Sequence, residues 1–156
     1  MQTIAELTSN FAQIGSVTWI GTRPARRTEM ALHSEIEVLA DGLIGDHYGG
    51  EGKRGVSLIQ AEHLPVIAAF LGVKEINPKL LRRNIVVDGI NLLGLRKRQF
   101  RIGEAILEGS GLCAPCSRME ETLGVGGYAA VRGHGGITAR VATKGLIKLG
   151  DKVIPI

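Results

Sequence analysis

The chain has 156 residues, enough for one domain with its own core and too few for two comfortable ones. Apolar residues make up 44% and charged residues 22%, the balance of an ordinary globular protein, which argues against collagen and disorder. A net charge of +4 suits an anionic ligand as well as a merely solvated surface, while aromatics at 4% leave few stacking platforms for single-stranded nucleic acid, so no nucleic-acid partner is expected.

The 22 glycines are about twice the usual share and point to many tight turns between short strands. Residues 3–13 read as a short helix, followed by a β-like stretch over residues 16–20 that Gly21-Thr22-Arg23-Pro24 ends. Residues 30–40 alternate, with Glu35, Glu37 and Leu39 on one side and Ile36 and Val38 on the other. Asp41-Gly42 and Gly45-Asp46 are turn signals, and the glycine-rich segment 46–55 reads as a loop. Val56-Ser57-Leu58-Ile59 reads as a strand, and residues 61–71 as a helix whose apolar face holds Leu64, Ile67, Ala68 and Leu71, stopped by Gly72. Asn77-Pro78 opens a helical turn ending near Leu81. Asn84-Ile85-Val86-Val87 is a buried-type strand closed by Asp88-Gly89. Residues 99–108 alternate around Phe100, Ile102, Ala105 and Leu107, and residues 138–156 give two short strands around Gly145 and Gly150-Asp151.

Short strands, frequent glycine turns and a few short helices predict a mainly β fold, a β-barrel with helical insertions, in a single domain spanning residues 1–156. No apolar run reaches the length of a membrane span, so no membrane partner is expected. The N-terminus carries Glu6 and lacks a basic region followed by an apolar stretch, which does not read as a secretory signal. Two cysteines at Cys-x-x-Cys spacing are no disulfide framework and read as an intracellular thiol or metal feature, consistent with a cytoplasmic protein.

The segment Gly111-Leu112-Cys113-Ala114-Pro115-Cys116-Ser117-Arg118-Met119-Glu120 follows a predicted strand. Ser117 and Glu120 form the S-x-x-E pattern of a capping box, which puts Cys116 just before the N-cap. There a helix dipole and Arg118 would favour the thiolate, the form that ligates a metal or attacks a sulfur donor. Other readings stay open: buried apolar cysteines, half of a zinc site completed by two of His33, His47, His63 and His134, or a dithiol redox pair.

Three further segments carry polar chemistry. Arg132-Gly133-His134-Gly135-Gly136 can bring backbone N–H groups close to an anion, with His134 a ligand-facing donor or a plain turn residue. Arg82-Arg83-Asn84 sets two guanidiniums and an amide at the entrance of a buried strand, and arginine suits bidentate phosphate contact. Asp46-His47, followed by Lys53-Arg54, can form a polar rim to the same pocket or a mobile loop. Arg23, Arg26 and Arg27 make another basic group.

Taken in order, Gly42-Leu43-Ile44-Gly45-Asp46-His47, Leu81-Arg82-Arg83-Asn84-Ile85-Val86, Ile102-Gly103-Glu104, the Cys113 to Cys116 motif and Gly150-Asp151 resemble the MOSC family, the domain at the C-terminus of molybdenum cofactor sulfurases. The resemblance runs from about Val17 to the end. It implies a β-barrel that binds molybdopterin, the pterin of molybdenum cofactor. In relatives such as the mitochondrial amidoxime-reducing component a cysteine ligates molybdenum, and its match here is Cys116; Cys113 matches a cysteine that is not the ligand. An arginine and an asparagine near the cofactor phosphate resemble Arg82 and Asn84, with Arg83 where that relative has proline. Arg83, Asp46, His47, Arg132 and His134, from the polar segments read above, join Arg82 and Asn84 as candidate cofactor-binding residues. The separate N-terminal domain and the electron-transfer domain have no counterpart here, so a reductase activity implies a protein electron donor. The alternative is a carrier in which Cys116 holds a persulfide supplied by a sulfur donor.

Overall fold

The computed structural model describes residues 1–47 and 55–156. In chain order, helix α1 (Ile4–Thr8) precedes strands β1 (Gly15–Thr22), β2 (Ala31–Leu32), β3 (Glu35–Leu39) and β4 (Gly42–Leu43). Strand β5 (Val56–Gln60) leads into helices α2 (His63–Leu71) and α3 (Pro78–Leu81), then into β6 (Ile85–Asp88) and a 3-10 turn (Leu92–Leu95). Strands β7 (Gln99–Ile102) and β8 (Ala105–Leu112), helices α4 (Ser117–Leu123) and α5 (Gly127–Val131), and strands β9 (Ile137–Thr143), β10 (Gly145–Lys148) and β11 (Lys152–Pro155) follow.

The strands pair in the order β11-β7-β8-β9-β5-β6-β1, and β1 also pairs with β11, so the sheet closes on itself as a barrel. Closure leaves the barrel wall without an open edge to template other chains. Among these pairs β5 and β6 are parallel and the rest antiparallel. A parallel pair needs a long crossover, and α2 and α3 supply it. A smaller sheet, β10-β3-β4, adds Ile36, Val38 and Ile147 to the apolar interior.

Burial follows strand periodicity. Phe100, Ile102, Ala105 and Leu107 have no exposed surface and point into the barrel, as their alternation predicts. Strands β5 and β6 are covered on both faces. Leu58, Ile85 and Val87 face inward, while Ile59 and Val86 pack outward with Ile67 of α2 and Met119 of α4. This double cover is why residues 84–87 read as an unbroken buried run. One end of the barrel gathers the end of β1, the start of β6, the end of β8 and the start of β9. The Arg82-Arg83-Asn84, cysteine and glycine segments emerge there.

The mainly β class, a barrel with short helices, stands. Several boundaries differ from the sequence expectation. The N-terminal helix stops at Thr8, where the Ser9 N–H and hydroxyl both bond the Glu6 carbonyl, and none of its residues is buried. Strand β1 continues through Gly21 and Thr22 because they pair with Leu32 and Ala31. The C-terminal region holds three strands, not two, and the helix α5 was not foreseen, since Gly127 heads it in close contact with Met119. No described helix is long and apolar enough to cross a membrane.

Truncating Phe100 to alanine removes a fully enclosed ring from the barrel interior. Phe100→Ala is expected to cost about 4 kcal/mol in urea unfolding, with the slope of the unfolding free energy unchanged.

Candidate functional site

The site grows from three segments at the barrel end described above. At the entrance to β6, Arg83 is 7% exposed, so its charge must be met by hydrogen bonds. Its Nε donates to the Gly135 carbonyl at 2.8 Å and Nη1 to the Leu81 carbonyl at 2.9 Å, while Nη2 reaches the Cys113 and Ala114 carbonyls at 3.2 and 3.3 Å. One guanidinium thereby joins the start of β6, the loop before β9 and the cysteine loop. The loops also meet directly: the Cys113 N–H donates to the Gly136 carbonyl, and side chains at Gly135 or Gly136 would strike the Cys113 and Leu58 carbonyls.

Asn84 has no exposed surface, and its amide is a structural knot. Its Oδ1 accepts from the Ser57 N–H and hydroxyl and from Arg23 Nη2, and its Nδ2 donates to the Gly21 carbonyl. Asp46 plays a similar part. Its fully buried carboxylate takes the Arg23 guanidinium through Nε at 3.0 Å and Nη2 at 2.7 Å, and also accepts the Arg23 backbone N–H. Sequence reading places Asn84 and Asp46 on the ligand; in the structure both act beneath Arg23, which itself lines the cavity.

That cavity has a volume of about 260 Å³. Arg82, Arg83, His47 and Cys116, all singled out from the sequence, line it, together with Arg23, Arg26, Arg118, Cys113, Ser57 and Thr138. Arg132 and His134 do not. Arg132 is exposed at the end of α5, and the His134 ring meets His63 edge-on at 4.9 Å and Phe70 at 5.7 Å, on the side of α2. Lys53 and Arg54 lie outside the described residues. The grouping of Arg23 with Arg26 was the available signal for two of the missed lining residues. Ser57 and Thr138 carried none, because strand pairing alone brings them to the mouth of the barrel.

The electrostatics are those of crowded cations. The Arg82 guanidinium sits below its ordinary pKa because of burial first, and then because Arg118 and Arg23 stand near it, with Asp46 opposing. Arg82 adopts a left-handed backbone (φ 57) as the cap of α3, and its guanidinium donates to the Thr28 and Ala25 carbonyls. It therefore clamps the loop that carries Arg26. The Nε of Arg118 is buried with no hydrogen-bond partner.

Cys116 is exposed and Cys113 buried. Cys116 is itself the N-cap of α4, so the helix begins one residue earlier than the sequence pattern suggests, and the Cys116 carbonyl accepts the Met119 N–H. The expected capping box does not form. Glu120 turns to the next helix, accepting from the Gly126 and Tyr128 N–H groups, and these two bonds hold its pKa below the usual carboxylate value. Residues 113–116 run without turn or bend. Both cysteines are free thiols. The zinc reading lacks ligands: among the described residues no three His, Cys, Asp or Glu side chains cluster to hold a metal ion.

A family model described as the MOSC domain matches residues 45–154. The chain belongs to the MOSC domain family. Among solved structures, the YuaD protein from Bacillus subtilis superposes with a TM-score of 0.81 at 19% identity, covering 92% of this chain and 97% of YuaD. YiiM from Escherichia coli gives 0.69 at 17% identity over 90% of this chain and 69% of its own, and YiiM from Geobacillus stearothermophilus 0.72 at 14% over 91% and 75%. At these identities the likeness establishes a shared MOSC fold. No curated protein sequence matches the chain.

Three outcomes follow for this MOSC domain. Native protein treated with iodoacetamide is expected to label at Cys116 and not at Cys113, read by peptide mass spectrometry. Arg83→Lys, which loses the planar fork, should open Cys113 to labelling and destabilise the fold by about 3 kcal/mol. For Glu120, a carboxyl whose pKa is lowered on folding stabilises above its unfolded value of 4.5 and loses that contribution as pH falls below it. Protection of the Gly126 and Tyr128 amides, taken relative to their intrinsic exchange rates at each pH, should therefore fall between pH 6 and pH 3, as measured by NMR, and Glu120→Gln should remove that pH dependence.

Proposed function

We propose that this MOSC domain binds the pterin form of molybdenum cofactor, with Cys116 as the thiolate ligand of the metal. The observation that carries this reading is an exposed thiol lining the same cavity as Arg82, Arg83 and Arg118; Cys113 lines that cavity too but is buried. The donor set fits the group. A soft thiolate suits molybdenum, and an anionic pterin phosphate suits arginine and the orphaned Arg118 Nε–H. Arg82 and His47 would meet the ligand directly. Arg83, Asn84 and Asp46 would act by holding the cysteine loop and Arg23 in position. Arg132 and His134 stand outside the cavity lining, and a role for them would need a ligand that extends past it.

The wider reading is that of a metal-binding component in a reductase acting on N-hydroxylated compounds such as hydroxylamino bases or amidoximes. The metal would supply the site at which the N–O bond is reduced. Electrons would come from a separate protein donor, and an exposed Cys116 leaves the site open to substrate. The same exposure supports a second reading, in which Cys116 carries a persulfide from a sulfur donor without turnover. Mass spectrometry of the native protein separates the two, since a sulfur adduct on Cys116 belongs to the second alone.

Protein expressed in cofactor-competent cells is expected to hold molybdenum and pterin in stoichiometric amounts, and Cys116→Ser to lose most of the metal. Elemental analysis that finds the metal undiminished in the variant would overturn the ligand assignment.

A further inference from the structure

Beside the cavity, two titratable rings meet that the proposed chemistry does not use. His63 opens α2, and His134 lies in the loop between α5 and β9. The rings stand edge-on, with 4.9 Å between centroids and 87° between planes. Phe70, near the end of α2, closes on the His134 ring at 5.7 Å. The Nδ1 of His134 is buried with no hydrogen-bond partner, so that nitrogen makes its burial less favourable.

The two sides of the contact are not equally anchored. Helix α2 is pinned by the buried Ile67 and Ala68, and α5 ends on the buried Val131. His134 instead follows Gly133, a left-handed glycine (φ 85) with open space around it. Just beyond His134 the loop is bonded to the cysteine segment. The Gly136 carbonyl accepts the Cys113 N–H, and the Gly135 carbonyl accepts from Arg83, which also holds the Cys113 and Ala114 carbonyls. Movement of His134 is thereby carried to the root of the cysteine loop.

The charged groups acting on His63 are His134 across the contact and Glu62 beside it in the chain, a carboxylate that also accepts from Gln60 and the Gly89 N–H. Arg132, two residues before His134, is exposed. Burial first, and then His134, holds the His63 pKa below its ordinary 6.5, with Glu62 opposing. A histidine whose pKa is lowered by a contact takes up its proton more readily once released, so the contact is fully stable above pH 6.5 and weakens as pH falls below it. We propose that the His63–His134 contact is an acid-sensitive latch: protonation of the pair frees His134 and, through Gly135, Gly136 and Arg83, loosens the cysteine loop. The latch does not depend on what Cys116 binds.

The test is amide exchange of the whole chain without metal, followed by NMR and taken relative to intrinsic rates at each pH. Protection of the Cys113 amide is expected to fall between about pH 7 and pH 5, by up to about tenfold for each unit that the contact lowers the His63 pKa, while the amides of β7 keep theirs. Glu120 titrates below this window, since its pKa is lowered from 4.5. His63→Gln, at a half-buried position, should remove the fall while largely keeping the protection seen at pH 7, and His134→Gln should remove it as well. Cys113 protection that is constant over this range overturns the latch. So does a fall that persists in either folded variant, or one that the β7 amides share. Molybdenum and pterin content do not enter this measurement, so the cofactor reading stands or fails separately.

Discussion

A single guanidinium, that of Arg83, is what the functional end of this barrel is assembled around. Burying a charge is costly unless its donors are all directed at acceptors. Arg83 meets this with carbonyls from Leu81, Gly135, Cys113 and Ala114, which belong to segments far apart in sequence. The same residue that would otherwise destabilise the core thereby sets where the cysteine loop and the glycine loop lie. Those carbonyls need Gly135 and Gly136 beside them, because a side chain at either position would strike the backbone it packs against. The exposed Cys116 follows a loop whose root is tied down, which limits the positions it can take.

Beneath the cavity a second set of bonds acts in the same sense. Asn84 and Asp46 are saturated within the protein, and between them they aim Arg23. Polar groups buried this way contribute less by their own energy than by the single arrangement they permit, since leaving any of them unpaired is expensive. The outcome is a division of labour among cations. Some are neutralised internally and shape the wall, while others keep their charge for the cavity. The mouth of this MOSC barrel is lined by several arginines held by such bonds.

The helical layer has its own logic. Val86 and Ile59 point away from the barrel interior, so α2 and α4 must cover them, and Met119 does so from the turn that follows Cys116. Packing of that methionine links the depth of the cysteine loop to the core. Glu120, freed from any capping box, joins α4 to α5 through backbone N–H groups and steadies the same turn.

Much of this was written in the sequence. Alternation around Phe100, Ile102, Ala105 and Leu107 determined which faces turn inward, because a strand has a period of two and water excludes the apolar side. The order of the Arg82-Arg83-Asn84, Cys-x-x-Cys and glycine segments marked out the barrel end and the MOSC likeness. What local pattern could not decide was which polar residue faces a ligand and which faces the protein. Asn84 and Arg82 are two positions apart, yet strand direction buries one and a left-handed cap leaves the other in the cavity. His134 and Cys116 both looked like ligand donors, and packing against α2 drew the histidine aside. Ser57 and Thr138 join the site only through pairings between strands distant in the chain. Such pairings are set by closure of the barrel as a whole, and no window of neighbouring residues encodes them.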